Sequence, residues 1–516
     1  MNSTQTGFDV PENIRSLAMV HSRTVLGVNA VPVTVEVHLA NGLPSFSTVG
    51  MPETAVRESK DRVRGAIINS GFEFPAKRIT VNLAPADLPK AGGRFDLPIA
   101  IGILVASGQL PGAQLADLEM IGELALNGQL RKVSGVLPTA LACGQSLRQL
   151  VVPSENELEA SLAEQTDSFA GPHLLSVCAH LVGQTIMPRC LPKSSFSDSA
   201  DTYPDLSDVK GQVQAKRALE IAAAGNHSIL FIGPPGTGKS MLATRLPGLL
   251  PQLSTAKALE AAAIQSVANG EFDIADWRRR PYRAPHHSAS AAALVGGGSN
   301  PRPGEISRAH HGILFLDELT EFSRATLEQL REPLETGEIN IARAVHSVSY
   351  PARFMFVAAC NPCRCGYLGD DTDRCQCSAS SIEQYRSKLS GPMIDRIDMH
   401  LHLKRVDIKT LQGVPSSSNE RSATIRQRVS VARAMQQQRQ TQLNSQLSSE
   451  GIDKYCRLDQ ACLSFLEVVC EKLHLSARAY HRILKLARTI ADMAGEESIN
   501  QAHLAEAVGY RSLDRR

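Results

Sequence analysis

A loop rich in glycine and proline, between an apolar run and a helical pattern, offers the clearest chemistry in this chain. The apolar run is Ile229 to Ile232, and the loop with the first helical residues is Gly233, Pro234, Pro235, Gly236, Thr237, Gly238, Lys239 and Ser240. Glycines let backbone N–H groups close around phosphate oxygens, and the helix N-terminus adds a favourable dipole. The lysine places its charge on the outer phosphates, and the serine hydroxyl can ligate Mg²⁺. The pattern predicts a phosphate-binding loop, and therefore a protein that binds ATP or a related nucleotide.

Two adjacent carboxylates follow a second apolar run. Gly312 to Leu316 leads into Asp317 and Glu318, which predicts a buried strand whose carboxyl end presents both acids, where ligands of open parallel sheets bind. Asp317 would hold Mg²⁺, mostly through water, and Glu318 would orient and deprotonate an attacking water. For this segment alone a solvated acidic turn is the better interpretation, but the phosphate-binding loop earlier in the chain favours hydrolysis.

A third predicted strand, residues 354–359, ends beside Asn361. A polar side chain at the end of a strand next to the acidic pair can reach the γ-phosphate and the water. We therefore expect the loop, the carboxylates and the asparagine to share one edge of a parallel sheet.

Four cysteines lie close together after this asparagine: Cys363, Cys365, Cys375 and Cys377. Two Cys-x-Cys pairs can supply a closed, tetrahedral, structural Zn²⁺ site. Cys360 is a substitute ligand on the strand side, and reactive surface thiols without metal are the alternative. The other cysteines are scattered and predicted to be structural: Cys143, Cys178, Cys190, Cys456, Cys462 and Cys470.

Length and composition set the frame. A chain of 516 residues suggests roughly three or four domains, and a formal net charge of +2 argues neither for nor against nucleic acid. The first residues lack a basic segment followed by an apolar one, so no signal peptide is predicted. The longest apolar run, Leu97 to Ala106, is too short to span a bilayer and predicts a buried helix instead. Together with eleven cysteines, this predicts a cytoplasmic protein in a reducing compartment.

The elements around these motifs follow from periodicity. Alternating valines from Val31 to Val37 predict a strand, residues 53–70 an amphipathic helix, and Asn127-Gly128 a hairpin. Residues 1–16 are expected to be a flexible tail, and a linker rich in serine, aspartate and proline covers 191–206. The predicted domains are 17–190, 207–404 with the cysteine cluster at 360–377, and a helical region at 405–516.

These motifs resemble those of the AAA+ ATPases. Asn361 occupies the position of their sensor one, Gly391 to Arg396 resembles their arginine-finger segment, and Arg478 resembles sensor two. In such rings an arginine of one subunit neutralises charge on the neighbour's transferring phosphoryl group, so the resemblance implies an oligomer. The alternative for Arg396 is an Asp-Arg surface pair, and Arg331 is a weaker rival for the contact.

The resemblance extends to the YifB/ComM family of magnesium-chelatase-like AAA+ proteins. It rests on Tyr282-Arg-Ala-Pro-His-His-Ser-Ala-Ser, Gly296-Gly-Gly, Pro303-Gly-Glu-Ile, Asn361-Pro-Cys-Arg-Cys-Gly and Ala487-Arg-Thr-Ile-Ala-Asp, and it covers nearly everything after residue 17. It implies a hexameric, ATP- and Mg²⁺-dependent DNA helicase that promotes branch migration in natural transformation and recombination. The implied partners are single-stranded and branched DNA, a homo-hexamer ring and recombination proteins, with no membrane. The leading alternative is a chelatase-type or chaperone-like motor that remodels a protein.

The resemblance also implies two elements that project into a central pore. One is an insert after the first nucleotide motif, and the other is a hairpin within residues 338–349. The residues expected to contact the phosphate backbone are Arg283, His286 and His287 in the insert and Arg343 and His346 in the hairpin. Solvated loops are the alternative for both. In the helical region, Arg482, Lys485 and Arg488 are expected mostly on a solvated face.

The N-terminal domain resembles the Lon-protease fold, which raises peptide hydrolysis as a rival function. At the turn Lys90-Ala-Gly-Gly-Arg94 an arginine stands where the family's serine nucleophile is expected, and the expected lysine falls near Leu137. Without a nucleophile or its base, covalent peptide hydrolysis has no route, so Lys90 and Arg94 are expected to be available for DNA. The fold class implied overall is α/β multidomain: a Lon-like N-terminal α/β domain without the peptidase dyad, an AAA+ P-loop parallel-sheet core and a C-terminal α-helical lid.

Overall fold

A computed structural model describes residues 16–50, 56, 58–192, 203–270, 272–298, 301–342, 347–370, 374–407, 410 and 420–514. The chain forms two compact units. The first contains residues 1–196 and 262–277, and the second contains 197–261 and 278–516. Residues 262–277 thus belong with the first unit, although the sequence-based boundaries are continuous at that point. Residues 1–15 of the predicted tail at 1–16 and most of the predicted linker at 191–206 lie outside the described residues.

The first unit is built on a mixed sheet. Its best-formed pair is antiparallel, β1 with β2, where Val33, Val35 and Val37 are buried and the residues between them are not. This alternation is the one predicted from the valines. In the described part of the unit, the sheet order is β3-β4-β2-β1-β5-β8-β9. The strands of the unit are β1 Leu17–Leu26, β2 Asn29–Ala40, β3 Ser45–Val49, β4 Arg78–Ala84, β5 Leu118–Met120, β6 Glu123–Leu124, β7 Leu130–Arg131, β8 Gln149–Pro153 and β9 Ser168–Gly171.

Helices cover this sheet, and one of them is buried on nearly all sides. This helix contains almost only apolar residues, in agreement with the prediction of a buried helix from Leu97 onward. The predicted hairpin at Asn127-Gly128 is confirmed, since β6 and β7 pair antiparallel on either side of it. The helices of the unit are α1 Ser59–Asn69, α2 Asp96–Ala106, α3 Val136–Gln145, α4 Glu157–Ala160 and α5 Leu174–Leu181.

The turn at Lys90 to Arg94 is buried, so the expectation that these cations are available for DNA is wrong. Lys90 is 0% and Arg94 6% exposed. Lys90 donates to the carbonyl of Pro85, and Arg94 donates to the carbonyl of Ser134 at 3.0 Å. Burial lowers the pKa of Arg94 to about 10. These cations satisfy the backbone inside the first unit instead of facing a ligand.

The second unit is built on a parallel sheet in the order β11-β14-β17-β10-β18. Each neighbouring pair is parallel, so the strands end at a common carboxyl edge. The three inner strands of this sheet are those predicted from apolar runs, and all three are buried throughout. The strands of this sheet are β10 Ile229–Ile232, β11 Tyr282–Arg283, β14 Ile313–Leu316, β17 Met355–Cys360 and β18 Met399–His402.

Two short hairpins lie outside this sheet: β12 Gly296–Gly297 with β13 Arg302–Pro303, and β15 Glu338–Ala342 with β16 Ser347–Pro351. The second is the hairpin expected within 338–349. Arg343 and His346, which were expected to contact DNA there, lie outside the described residues.

Helices make up most of the remainder, and the predicted helical region at the C-terminal end is confirmed. None of the helices in the described ranges combines the length and the apolarity that crossing a membrane requires. The helices are α6 Val213–Gly225, α7 Lys239–Arg245, α8 Thr255–Asn269, α9 Ala291–Val295, α10 Glu305–Arg308, α11 Arg324–Glu328, α12 Arg331–Thr336, α13 Ala379–Arg386, α14 Gly391–Ile394, α15 Ser422–Gln440, α16 Ser449–Tyr455, α17 Gln460–Leu473, α18 Ala477–Ala494 and α19 Gln501–Gly509.

Candidate nucleotide-binding site

The glycine loop joins the end of β10 to the start of α7. Gly236 and Gly238 have φ values of 78° and 88°, a left-handed conformation that side chains with a Cβ rarely adopt. Gly233 lies so close to β18 that a Cβ would stand 2.7 Å from the carbonyl oxygen of Leu403. The glycines are therefore required by the path of the loop, which directs backbone N–H groups and the N-terminus of α7 toward one point.

Lys239 reaches back across this loop. Its ammonium donates to the carbonyls of Gly233 at 2.7 Å and Pro234 at 3.0 Å, and to the side-chain oxygen of Asn361 at 3.1 Å. Burial lowers the pKa of Lys239, and the charge of Asp317 opposes that shift. The ammonium is thus held by neutral oxygens that phosphate oxygens can replace.

Ser240 and Asp317 meet at the same point. The hydroxyl of Ser240 donates to the Asp317 carboxylate at 2.5 Å. A hydroxyl and a carboxylate are hard oxygen donors of the type that Mg²⁺ prefers. The donor set therefore fits the expected Mg²⁺ ion, with Ser240 and Asp317 as the residues that would hold it.

Glu318 follows Asp317 in a left-handed backbone conformation, with φ 51°. Its side chain is 56% exposed, and its carboxylate oxygen Oε2 lies 3.2 Å from Nδ1 of His287. His287 comes shortly after β11, which pairs in parallel with the strand that leads to Glu318. A residue expected to contact DNA therefore contacts the carboxylate expected to activate water.

Asn361 follows β17 and opens the cysteine loop. Cys363 and Cys365 have their Sγ atoms 3.3 Å apart, and Cys375 lies 3.8 Å from the first and 3.6 Å from the second. The thiol of Cys377 completes a group whose ligand atoms all lie within 4.8 Å of one another. Four thiolates bound tetrahedrally to Zn²⁺ at about 2.3 Å have sulfurs about 3.8 Å apart. The four thiols therefore fit a zinc ion.

Arg396 and Arg478 lie at the opposite edge of the sheet from the glycine loop. Arg396 precedes β18, which pairs with β10 from Ile229 to Ile232, so about 13 Å of strand separates it from the loop. The carboxylate of Glu335 contacts Arg396 at 2.5 Å and Arg478 at 3.8 Å. Arg396 is 7% exposed and Arg478 60%. Neither arginine lies beside the glycine loop of its own chain.

The other predicted cations are held in ion pairs. Arg283 forms two hydrogen bonds to Glu305, at 2.6 and 2.8 Å. Arg331, the rival for the phosphoryl contact, pairs with Glu328 at 2.5 Å one turn earlier in the chain. His286 is not in an ion pair of this kind: its ring lies against that of His287, with centroids 4.1 Å apart and planes tilted by 34°.

The expectation of a solvated face on α18 is wrong for Arg488, which is 3% exposed and pairs with Asp492 at 3.0 Å. Arg482 contacts Asp398 in a second ion pair. Lys485 donates to the carbonyl of Ser445 at 3.1 Å. These cations fasten α18 within its unit.

Sequence reasoning missed one residue of this site, and for His287 it missed the contact with Glu318. Gln212, before α6, donates to the carbonyl of Thr237 at 3.1 Å and that of Lys404 at 2.8 Å, which fixes the segment before α6 against the glycine loop. The preceding Gly211, a turn residue just before a helical pattern, was the available signal. For the role of His287 beside Glu318, no local signal exists.

Family models match most of the chain. The model described as "Magnesium chelatase, subunit ChlI" matches residues 205–411, "Subunit ChlI of Mg-chelatase" matches 35–156, and "Magnesium chelatase, subunit ChlI C-terminal" matches 419–511.

Three curated relatives match along nearly their whole length. The chain is 50% identical to competence protein ComM of Haemophilus influenzae, over 97% of this chain and 98% of that one. It is 51% identical to the uncharacterized protein YifB of Escherichia coli over the same shares. It is also 40% identical to the uncharacterized protein Rv2897c of Mycobacterium tuberculosis, over 97% of this chain and 100% of that one. With these identities and this arrangement of loop, carboxylates and asparagine, the chain belongs to the YifB/ComM family of magnesium-chelatase-like AAA+ proteins.

Proposed function

We propose that this protein is an ATP- and Mg²⁺-dependent motor that moves along DNA, a helicase that promotes branch migration in recombination and natural transformation. The observation that carries the ATPase part is the convergence of Lys239, Ser240, Asp317 and Asn361 at one sheet edge, with Glu318 beside them. Membership of an AAA+ family supports hydrolysis. The support for DNA is the name of the ComM relative, a competence protein, and the arginines at positions 278–280 and 283, which precede His287 in the chain.

Each side chain has a role in this reaction. Lys239 and the loop N–H groups bind the phosphates. Ser240 and Asp317 would hold Mg²⁺, which would neutralise charge on the phosphate oxygens. Glu318 accepts the proton of the attacking water. Asn361 touches the lysine and lies where it can orient that water.

In this proposal Arg396 and Arg478 serve the nucleotide of a second copy in a hexameric ring. The support is their position at the amino edge of the sheet, away from their own glycine loop. In the ring, Arg396 exchanges the Glu335 carboxylate for phosphoryl oxygens of the neighbour. A head-to-tail interface of this kind closes into a ring.

A mixture of inactive variants tests the shared site. The Lys239→Ala variant has an inactive phosphate-binding loop but keeps Arg396. The Arg396→Ala variant has an intact loop but lacks the arginine. When the two variants are mixed in equal amounts, one interface in four combines an intact loop with an intact arginine. About a quarter of the wild-type rate of ATP hydrolysis should therefore return. Lys239→Ala mixed with Glu318→Gln is the control, because both defects lie on the same side of the interface. If the mixture of Lys239→Ala and Arg396→Ala is as inactive as the control mixture, Arg396 does not take part in hydrolysis.

We further infer that the first unit is Lon-like but without peptidase chemistry. The carboxylate of Glu159 accepts from the backbone N–H of Leu137 at 3.0 Å and acts electrostatically on Arg94. Both positions where the peptidase dyad is expected are therefore near the buried carboxylate of Glu159. Neither position carries a nucleophile or a base. Casein should remain undigested with ATP present.

The first experiment is the rate of ATP hydrolysis with and without single-stranded DNA, with Glu318→Gln as the blank. We expect stimulation by DNA that weakens as salt rises, because phosphate contacts dominate non-specific affinity. Strand displacement on forked and branched substrates follows.

A second candidate function is a chelatase-like or chaperone-like motor that remodels a protein, which the names of the matching family models favour. An ATPase rate that no DNA changes would refute the helicase proposal and favour this second candidate.

A further inference from the structure

The cysteine loop, defined by the described residues 361–370 and 374–378, contacts the nucleotide site through its first residues. It begins at Asn361, whose side-chain oxygen accepts from Lys239 at 3.1 Å, and the first thiol ligand follows two residues later. Gly366 lies so close to the glycine loop that a Cβ there would stand 2.9 Å from Pro235. A shift in the cysteine loop would therefore move groups that touch both the lysine and the phosphate-binding loop.

The loop is attached on its other side to the strand end and to the acidic turn. Asp370 pairs with Arg405 at 3.5 Å, and the Arg405 guanidinium lies 5.5 Å from the centre of the Tyr367 ring. After Cys377 the chain enters α13, where Tyr385 shares a hydrogen bond of 2.6 Å with Thr320. Thr320 is two residues beyond Glu318. The thiol cluster therefore links the asparagine segment to a helix that contacts the turn bearing the water-activating carboxylate.

Three of the four thiols of this cluster are more accessible than most of the other cysteines. Cys365, Cys375 and Cys377 are half-buried, as is Cys470 outside the cluster. Cys363 and the other six cysteines are buried. Burial raises the pKa of the Cys178 and Cys456 thiols, outside the cluster, to about 12. An oxidant in solvent therefore reaches the cluster before it reaches most of the other thiols.

We propose that the four-cysteine site is a redox-controlled positioning element for ATP hydrolysis. With its thiolates reduced and holding zinc, it fixes Asn361 against Lys239 and the cysteine loop against Pro235. With its thiolates oxidised it releases the ion, and the loop no longer fixes these groups. This proposal rests on the proposed ATPase function and adds its regulation.

The chemistry balances with a peroxide as the oxidant. Two thiolates lose one electron each and form an S–S bond, while hydrogen peroxide takes up both electrons and two protons and leaves as two waters. The site, left with two thiolates or none, loses its ion to water. A dithiol reverses the step, because it reduces the disulfide back to thiolates by exchange, and added Zn²⁺ then refills the site.

The test follows zinc, nucleotide binding and hydrolysis in parallel in the purified full-length protein. Hydrogen peroxide is added in steps, released zinc is measured with a colorimetric chelator, ATP affinity with a fluorescent ATP analogue, and hydrolysis by phosphate release. We expect one zinc ion per chain, released in step with a fall in hydrolysis on the order of a hundredfold, since misplaced positioning groups cost about that much. Dithiothreitol with Zn²⁺ should restore the rate.

Variants separate this role from a merely structural one. Cys375→Ser should lose zinc and hydrolysis together, and circular dichroism shows whether it is folded. Cys470→Ser, which alters a half-buried thiol outside the cluster, should keep both the zinc and the peroxide response. If Cys375→Ser does not fold, the reversible titration of the wild type decides.

The outcomes distinguish the two proposals. Protein that binds no zinc, or that releases zinc while ATP affinity and hydrolysis stay unchanged, overturns the positioning role. Reduced, zinc-loaded protein that does not hydrolyse ATP refutes the proposed function. In that case the affinity for the ATP analogue still tests the positioning role: about a tenfold loss on oxidation supports it, and an unchanged affinity overturns it.

Discussion

Replacing His287 by alanine should raise the rate of ATP hydrolysis measured without DNA. The carboxylate oxygen Oε2 of Glu318 lies 3.2 Å from Nδ1 of His287, and a carboxylate oxygen engaged in such a contact is less available to accept the proton of water. His287 belongs to a segment that we expect to contact DNA. A phosphate that draws the imidazole away would release the carboxylate, as the alanine variant does permanently.

The exposure of the two side chains limits the size of the effect. His287 is 37% and Glu318 56% exposed, so solvent screens the pair and its contribution is about 0–1 kcal/mol. If releasing the carboxylate lowers the barrier by the whole of that amount, the rate rises at most about fivefold. The ratio of the rates with and without DNA should shrink by the same factor.

The assay is steady-state phosphate release at saturating ATP, with and without single-stranded DNA. His286→Ala is the matched control, because the His286 imidazole hydrogen-bonds to Ser288 at 2.8 Å instead of contacting Glu318. An unchanged rate in His287→Ala, or an equal rise in the control, would refute the reasoning. A fall of tenfold or more would mean that the imidazole holds Glu318 in its working position.

Two further predictions concern stability. The hydrogen bonds of His310 and His311, at 3.1 and 2.8 Å, lower the pKa of Glu260 from 4.5 to about 2. Glu260 thus contributes stability above pH 4.5 that is lost as the pH falls toward 2. In urea titrations at several pH values, Glu260→Gln should therefore weaken the fall of the free energy of unfolding with falling pH. Asp398 is 5% exposed and pairs with Arg482, so Asp398→Asn should lower the free energy of unfolding by about 2 kcal/mol in urea at pH 7; a change below about 0.5 kcal/mol would contradict the importance of that pair.

The central strands of the second unit were predictable because their signal is local. Ile229–Ile232 and Ile313–Leu316 are short apolar runs bounded by glycines or acids, and a fully buried parallel strand requires that composition. The Asn127-Gly128 hairpin was predictable for a similar reason, since the turn type selects those residues. In each case the residues that specify the element are also the residues that form it.

Burial of charge and proximity across strands were not predictable. Arg94 belongs to a glycine-rich turn, a composition that predicts an exposed position. The carbonyl to which it donates nevertheless comes from Ser134, 40 residues away. His287 meets Glu318 only because β11, a strand of two residues, pairs with β14. A two-residue strand leaves no periodicity in the sequence, so the contact depends on tertiary structure alone.

The direction of the strands decides which polar residues serve the same nucleotide. Spacing along the chain cannot say whether Arg478 faces its own glycine loop, because a helix after the sheet can pack against either edge. The next turn of that helix settles the matter: Arg482 pairs with Asp398, which lies just before β18 at the amino edge. Arg478 shares this edge and contacts the carboxylate that also holds Arg396. Since Lys239 and Asp317 lie at the carboxyl edge, both arginines lie away from the glycine loop of their own chain, as the proposed shared site requires. If the proposed ring assembles, hydrolysis should rise more steeply than the protein concentration in the range where copies associate.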